Sequence, residues 1–247
     1  MAIRNENGKM YHIGLREGDV GRYVLLPGDP GRVPLIAAYL NEAHQVGSNR
    51  EFLTWTGKLK GQKVSVCSSG IGSPSTAIAV EELFAVGADT VIRVGTAGLI
   101  QDNITDDCVL IATGAVRDEG TSQQYIPLAY PALADIEVTW SLIESARHSG
   151  LQYKAGIVQS KDSFYGEVEP ESSPAEWNLK YRWETWKRGN VLASEMEAAT
   201  LFVVSSIRNK RAGCILGNHV NMKEVIKISV GAICELISMD YVKSSKV

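Results

Sequence analysis

The sequence predicts an α/β protein, and three observations support that prediction. Short β-branched runs alternate along the chain with longer runs of helical periodicity, which is typical of a sheet with mostly parallel strands. The 247 residues are enough to bury a sizeable core. Neither a low-complexity linker nor an internal repeat divides the chain. We therefore predict one domain over residues 1–247, with a central, mostly parallel or mixed β-sheet flanked by helices.

The predicted strands are short runs rich in valine, isoleucine and leucine. In chain order they are Tyr23–Pro27, Lys63–Cys67, Thr90–Val94, Cys108–Ala112 and Gly156–Gln159. Because helical segments separate most of them, we expect crossover connections between parallel neighbours.

The predicted helices are longer segments with apolar residues at helical spacing. They are Pro34–Tyr39, Ser75–Val86, Asp135–His148, Glu195–Ile207 and Val225–Met239. Ser75 or Thr76 is the expected cap of the second helix. The segment Gly166–Pro174, with its proline, serine and glutamate residues, is expected to be a surface loop. The amphipathic aromatic stretch Trp177–Trp186 is expected in the core or at a subunit interface.

Composition and charge exclude several functions. With 28 acidic and 25 basic residues, the net charge of −3 lacks the excess of lysine and arginine that nucleic-acid binding needs. No apolar stretch approaches a membrane span, and residues 1–12 contain no apolar signal core. We therefore expect a cytoplasmic protein that binds neither nucleic acid nor membrane. The cysteines are widely spaced and predict neither a disulfide framework nor a zinc site: Cys67, Cys108, Cys214 and Cys234.

Loops that follow predicted strands are where an open parallel sheet binds its ligand. In the first, GDPGR at Gly28–Arg32, glycine lets backbone N–H groups approach an anion, and Arg32 adds a planar cation suited to phosphate. A Pro-Gly turn with a solvated arginine is the alternative. The second loop, SSGIGSPST at Ser68–Thr76, lacks the third glycine of a dinucleotide fingerprint and its later acidic residue, so NAD binding is not expected.

Charged residues interrupt two apolar segments. Arg93 lies in a predicted strand before the third loop, IRVGTAG at Ile92–Gly98, and needs an anionic partner, either a ligand or a structural carboxylate. Glu195 and Glu197 begin an apolar helix, where a carboxylate caps the helix or accepts hydrogen bonds from hydroxyl groups. Together these residues indicate a phosphate that acts beside a polyhydroxylated substrate.

Seven motifs carry a resemblance to a known family: HIGL, PGDPGRV, SNREFLTW, CSSGIGSPSTAIAVEEL, VIRVGTAG, SKDSFYG and ASEMEAATLF. In this order, between about His12 and Gly213, they resemble the nucleoside phosphorylase family, and within it the bacterial-type uridine phosphorylases. The resemblance implies a homo-oligomer, a hexamer formed as a trimer of dimers, with active sites near subunit interfaces. It implies no cofactor beyond inorganic phosphate as co-substrate.

Carried over motif by motif, the resemblance implies the residues of the phosphate site. They are Gly28, Arg32, Arg93 and Thr96, with Arg50 arriving from the adjacent subunit. Phosphate would attack C1' of uridine while the glycosidic bond loosens through an oxocarbenium-like state, releasing uracil and ribose 1-phosphate. Positioning and charge do most of this work, so no side-chain nucleophile is required. The implied catalytic residues are Arg93, Glu197 and Thr96.

The resemblance also implies positions for the sugar, the base and a cation. Ribose would contact Met196, Glu197 and the neighbour's His12, and Phe164 would pack against sugar and base. In some family members a potassium ion lies at the dimer contact. The matching positions here are Glu51, Ile71 and Ser75.

Two departures from the family fall on the base side. Glu167 stands where the uridine enzymes generally carry a glutamine, and no arginine follows it before Arg182. A carboxylate accepts the N3–H of uracil or the N1–H of a 6-oxopurine, but it cannot donate to a carbonyl and would repel an anionic leaving base. The family's polar flap is also absent or very short after Gly217, where His219 and Asn221 are candidates for the base side.

These departures leave alternatives to uridine phosphorolysis. Glu167 suits a 6-oxopurine nucleoside phosphorylase. A nucleoside hydrolase would have no purpose for the three arginines and shows no acidic cluster for calcium. A non-catalytic nucleoside-binding paralogue would bind uridine without turnover. The aminopurine branch is disfavoured because GNHVN at 217–221 lacks its V-S-D aspartate.

Overall fold

In the computed structural model, which describes residues 3–245, eleven strands pair into one mixed β-sheet. The strands are β1 Tyr23–Pro27, β2 Asn41–Asn49, β3 Phe52–Leu59, β4 Gln62–Cys67, β5 Thr90–Thr96, β6 Gly98–Leu99, β7 Val109–Asp118, β8 Ala132–Leu133, β9 Tyr153–Lys161, β10 Ala193–Glu195 and β11 Arg211–Gly217. Their order across the sheet is β2, β3, β4, β1, β5, β11, β7, β9, β10, β6, with β8 paired to β7.

Eight helices accompany these strands within the described residues. They are α1 Arg32–Ala37, α2 Ser73–Ala85, α3 Ser122–Tyr125, α4 Ile136–Ser149, α5 Phe164–Val168, α6 Glu176–Arg188, α7 Ala198–Ile207 and α8 Met222–Ser244, with a 3₁₀ turn at Pro170–Ser172. In residues 3–245, no helix is both long and apolar enough to cross a membrane.

Helices cover both faces of the sheet, which explains why its central strands are apolar throughout. Along β1, Val24 packs in the cluster that contains the α2 and α7 side chains. Leu25 packs in the opposite cluster, with side chains of α1, α4 and α8. Strands β4, β1, β5 and β11 run parallel to one another, and antiparallel pairings join β4 to β3 and β11 to β7. The sequence-based expectation of a mixed sheet between helices is therefore confirmed.

The five predicted strands and five predicted helices are all present; Tyr23–Pro27 has the predicted ends, and the ends of the others are shifted. Strand Cys108–Ala112 extends to Asp118, and the second helix begins at Ser73. The expected cap by Ser75 or Thr76 is wrong, because Gly72 occupies that position and no side chain caps the helix.

Two other expectations about local structure need correction. The expected helix Glu195–Ile207 begins only at Ala198, because Glu195 ends the short strand β10. Residues within the expected loop Gly166–Pro174 form the end of α5 and the 3₁₀ turn. The aromatic stretch Trp177–Trp186 belongs to α6, which has no buried residue, so within this chain it is not core.

Candidate active site

A cavity of about 980 Å³ lies beside the ends of several strands. Strand β6 follows β5 after one residue, and its pairing with β10 places Ser194 opposite Gly98. This pairing brings the carboxylates after β10 close to the residues at the end of β5. The cavity is therefore lined by segments that are distant in sequence, including the loop after β1 and the start of α5.

Arg93 lies at the back of this cavity, buried between two carboxylates. Its Nε donates to Glu195 Oε2 at 2.9 Å, and its Nη2 pairs with Glu197 Oε2. Burial by itself would lower the pKa of the guanidinium, but Glu197 and Glu195 raise it, so the group stays charged. The remaining nitrogen, Nη1, is buried and has no hydrogen-bond partner in the described structure. A buried cationic donor without a partner indicates a place for an anion.

The phosphate residues expected on this chain all line the cavity. A Cβ at Gly28 would lie 3.9 Å from Arg93 Nη1, so the glycine leaves open the space in front of that nitrogen. Arg32 and Thr96 line the same cavity. Burial lowers the pKa of the Arg32 guanidinium; Asp29 opposes this effect and the nearby charge of Arg93 adds to it. A dianion between the two cations would relieve their repulsion.

Two glutamates, one at the end of β10 and one just after it, make different contacts. Glu195 caps α7, because its carboxylate accepts from the backbone N–H groups of Glu197 at 2.9 Å and of Ala198 at 2.9 and 3.0 Å. Glu197 accepts from the N–H of Gly72 at 2.6 Å and lines the cavity. Burial raises the pKa of the Glu197 carboxyl above its ordinary 4.5, although the charge of Arg93 lowers it. Both glutamates line the cavity, but Glu195 also holds the start of α7, which leaves Glu197 as the candidate for a ligand contact.

The predicted ribose and base residues of this chain line the same cavity. Met196 lies beside Glu197, and Phe164 begins α5. Glu167 also reaches the cavity, where the Nζ of Lys161 lies 2.5 Å from its Oε2. Sequence reasoning missed Lys161, although a charged residue at the end of a buried strand is the same anomaly that singled out Arg93. The carboxylate of Glu167 is therefore neutralised, contrary to the repulsion expected from the sequence.

Comparison with known proteins shows the family of the chain. A sequence profile described as Phosphorylase superfamily matches residues 22–223. The chain belongs to this superfamily. It is 45% identical over 245 residues to a uridine phosphorylase of Treponema pallidum (strain Nichols), covering 93% of this chain and 95% of that protein. A uridine phosphorylase of Thermococcus kodakarensis is 49% identical over 223 residues, covering 88% of this chain and 79% of the relative. A guanosine phosphorylase of Halorubrum lacusprofundi is 38% identical over 207 residues, covering 84% and 81%.

In this member of the phosphorylase superfamily, the two residues expected from a neighbouring subunit lie outside the chain's own cavity lining. They lie close together on one surface: Asn49 Nδ2 donates to the carbonyl of His12 at 2.6 Å, and the Arg50 guanidinium lies 5.9 Å from the centre of the Tyr11 ring. The Nδ1 of His12 is 2.7 Å from Glu82 Oε1, which orients the imidazole. One surface of a neighbour would therefore deliver His12 and Arg50 together.

The expected potassium positions are partly brought together. Ser75 Oγ donates to Glu51 Oε1 at 2.8 Å, and both residues line the cavity. Hydrogen bonds from its own backbone and from Ser75 lower the pKa of Glu51, so its oxygens carry negative charge. Ile71 is 78% exposed and lines the cavity as well. The oxygen donors suit a hard monovalent cation, and the site stays a prediction.

The connection before α8 and helix α6 both contribute to the cavity lining. Among their lining residues, the sequence predicted only His219. Asn218–Asn221 is the whole connection between β11 and α8. Within it, His219 lines the cavity, whereas Asn221 is buried and binds the backbone carbonyls of residues 106 and 108. Trp183 of α6 also lines the cavity, while Arg182 pairs with Asp118. The connection where the resemblance predicts a longer flap is thus a short, hydrogen-bonded turn.

Proposed function

We propose that the chain is a uridine phosphorylase, which cleaves uridine reversibly with inorganic phosphate to give uracil and ribose 1-phosphate. The observation that carries the proposal is the buried, unpartnered Nη1 of Arg93, which faces Gly28 beside Glu197. An anion there lies next to a carboxylate suited to sugar hydroxyls. The uridine phosphorylases of Treponema pallidum and Thermococcus kodakarensis, which align over most of this chain, support the choice of substrate.

The geometry explains how the reaction proceeds without a protein nucleophile. Arg93, Arg32 and Thr96 hold phosphate, and Glu197 accepts hydrogen bonds from the ribose hydroxyls, so that a phosphate oxygen faces C1'. A C1'–O bond forms while the glycosidic C1'–N bond breaks, and the electron pair of the broken bond goes to the base. The proton of hydrogen phosphate ends on the departing base, which balances the reaction. Fixed charges stabilise the loosened, oxocarbenium-like sugar.

A homo-oligomer, a hexamer as a trimer of dimers, completes this proposal, because His12 and Arg50 act on a neighbour's cavity. Subunit complementation tests it. We expect Arg50→Ala and Glu197→Gln subunits each to retain only a small residual activity alone, and their co-expression to restore uridine cleavage because a mixed pair contains one intact site. Recovery in mixtures shown by light scattering to be oligomers is the expected result; no recovery in verified mixed oligomers contradicts the shared site.

The reaction itself is tested with uridine, thymidine and inosine, each with and without phosphate, followed by chromatography of the base and the sugar phosphate. We expect equal amounts of uracil and ribose 1-phosphate, and only when phosphate is present. Uracil release at the same rate without phosphate would indicate a hydrolase. Binding of uridine without turnover would indicate a non-catalytic paralogue. A cytoplasmic location, where nucleosides and phosphate meet, belongs to the same proposal.

A 6-oxopurine nucleoside phosphorylase is the second candidate. Glu167 offers an acceptor for the purine N1–H, and the guanosine phosphorylase of Halorubrum lacusprofundi is among the relatives. Faster phosphorolysis of inosine and guanosine than of uridine would establish it.

A further inference from the structure

A buried carboxylate on helix α2, that of Glu82, lies outside this chain's cavity lining. The residue is only 5% exposed. Its Oε2 accepts from the backbone N–H groups of Ile13 at 2.8 Å and of His12 at 3.0 Å, and its Oε1 lies 2.7 Å from Nδ1 of the His12 ring. Within residues 3–245, no lysine or arginine pairs with Glu82. The contacts of this buried charge are therefore concentrated on His12 and the residue after it.

These contacts determine which nitrogen of the His12 ring carries a proton. A carboxylate only accepts hydrogen bonds, so Nδ1 is the donor to Oε1. A ring held in this way keeps its Nδ1 proton in both the neutral and the charged form. The Nε2 atom lies at the opposite edge of the ring and has no hydrogen-bond partner among the described residues, and the side chain is 28% exposed. Nε2 is therefore the ring atom that His12 offers to a ligand.

The stereochemistry of a β-nucleoside indicates which hydroxyl Nε2 contacts. Phosphate attacks C1' on the face opposite the base, and the C2' and C3' hydroxyls lie on that face. Glu197, which is paired with Arg93 beside the phosphate position, is placed to accept from these two. The C5' hydroxyl lies on the other face, with the base, and is left for a group from outside the chain's own cavity. A hydroxyl both donates and accepts, so it matches Nε2 with or without a proton.

We propose that Glu82 is a positioning residue of the shared site, which holds the His12 ring so that Nε2 contacts the C5' hydroxyl of the nucleoside in the neighbouring cavity. Glu82 touches neither nucleoside nor phosphate and acts through His12. The inference rests on the proposed function, including its oligomer, and extends it to a preference: nucleosides with a free C5' hydroxyl are cleaved better than nucleosides without one.

Helix α2 makes this placement rigid. Its first residue, Ser73, donates to the backbone carbonyl of Met196 at 2.9 Å, and Glu82 lies near its C-terminal end. Val80 and Leu83 have no exposed surface, so the helix cannot rotate without disrupting the close-packed core. One helix thus contacts a residue of its own cavity at one end and, near the other end, the residue that is offered to the neighbouring cavity.

The position of the ring proton is measured without any substrate. The chain has four histidines, so protein labelled with ¹⁵N-histidine gives few ring signals, and the H12A variant identifies those of His12. We expect a protonated Nδ1 at mildly alkaline pH in the solid-state ¹⁵N spectrum of the unmodified protein. An unprotonated Nδ1 would overturn the proposal. Because this result does not depend on nucleoside cleavage, it separates the inference from the proposed function.

Selectivity for the C5' hydroxyl tests the role of Glu82. The measured quantity is the ratio of kcat/KM for uridine to kcat/KM for 5'-deoxyuridine, with inosine and 5'-deoxyinosine as the pair if the enzyme prefers purines. We expect a ratio of about tenfold in the unmodified protein, which is the effect of one hydrogen bond. E82M removes the partner of the ring, so the ratio should fall to within about twofold of unity. E82Q keeps a hydrogen-bond partner for the ring, so the ratio should stay above about fivefold.

A double-mutant cycle separates positioning from general damage. H12A alone should lower the ratio as far as E82M does, and the addition of E82M to H12A should change it no further. A purely structural role predicts equal losses for both nucleosides, so an unchanged ratio in folded E82M would refute the proposal. If E82M fails to fold, E82D replaces it with the same expected fall, since its carboxylate keeps the charge but ends one bond short of Nδ1.

The neighbouring position on α2 supplies the matched control. Glu81 pairs with Arg208 rather than with His12, so E81Q should keep the ratio within about twofold of that of the unmodified protein. Thermal unfolding of each variant shows that the compared proteins are folded.

Discussion

Replacement of Arg93 by lysine tests the centre of the site, and the structure favours lysine over alanine as the replacement. Alanine would leave Glu195 and Glu197 buried without a counter-charge, and breaking such a pair costs about 3–5 kcal/mol, so loss of activity would merge with unfolding. Lysine keeps the charge but has no planar fork, and it cannot serve two carboxylates and an anion together.

The expected magnitude follows from the three nitrogens of the guanidinium. Lysine forfeits the Nη1 contact to phosphate, a charge-assisted hydrogen bond worth about 1.5–3 kcal/mol. It also loosens Glu197, which Nη2 holds toward the sugar. Together we expect a loss of about 2–4 kcal/mol in transition-state binding, or roughly 30- to 1000-fold in kcat/KM.

The assay measures initial rates of uridine cleavage as phosphate is varied at saturating uridine, together with the thermal midpoint. Because Nη1 contacts the nucleophile, the KM for phosphate should rise and kcat should fall. Arg208→Lys is the matched control, since Arg208 is exposed and pairs with Glu81 outside the cavity, and its rates should stay within about twofold. A folded Arg93→Lys enzyme with unchanged kcat and phosphate KM would refute the assignment of Nη1 to phosphate.

Three other predictions concern pH, space and stability. Burial raises the pKa of Glu197 above 4.5, and only its carboxylate form accepts two hydroxyl hydrogen bonds. We therefore expect kcat/KM to fall as the pH drops through a midpoint above 4.5. The pH profile of the Glu197→Gln variant should lack this acidic fall. Gly28→Ala places a methyl group 3.9 Å from Arg93 Nη1 and 3.2 Å from the carbonyl oxygen of Gly70, so the KM for phosphate should rise about tenfold, and the melting temperature measures the cost of the Gly70 contact. Arg211→Met breaks two hydrogen bonds to Asp240, at 2.9 and 2.7 Å, and should destabilise the fold by about 2–3 kcal/mol at neutral pH in a denaturant titration. Burial raises the pKa of Asp240, but its hydrogen bonds from Arg211 and Tyr23 lower it below the ordinary 3.8, so this stabilisation is present above that pH and is lost as the pH falls through the lowered pKa.

The parts of the fold that the sequence reveals are those with helices on both faces. Strand β1 is buried at all five positions, and its predicted ends are the observed ones. Strand β2, whose letters are NEAHQVGSN, is mostly exposed and carries no apolar pattern, so the sequence does not reveal it. Strand β11 also escapes prediction although it is buried, because glycine interrupts its apolar run. A Cβ at Gly213 would lie 2.4 Å from Val138 in helix α4. The glycine that breaks the apolar pattern of the strand is therefore the residue that lets α4 pack closely against it.

For the site, a sequence motif identifies the residue types, but the role of each residue depends on its tertiary contacts. The need of Arg93 for an anion follows from its place in an apolar strand. The separate roles of Glu195 and Glu197 do not follow from the sequence, because both lie in one short segment. Only the folded structure shows that Glu195 accepts from the N–H of Ala198 and Glu197 from that of Gly72. The same need for a counter-charge applies to Lys161, at the end of a largely apolar strand, but only the structure shows that its partner is Glu167. A buried charge is thus best treated as half of a pair, and the counter-charge of Glu167 lies in the SKDSFYG motif that precedes it.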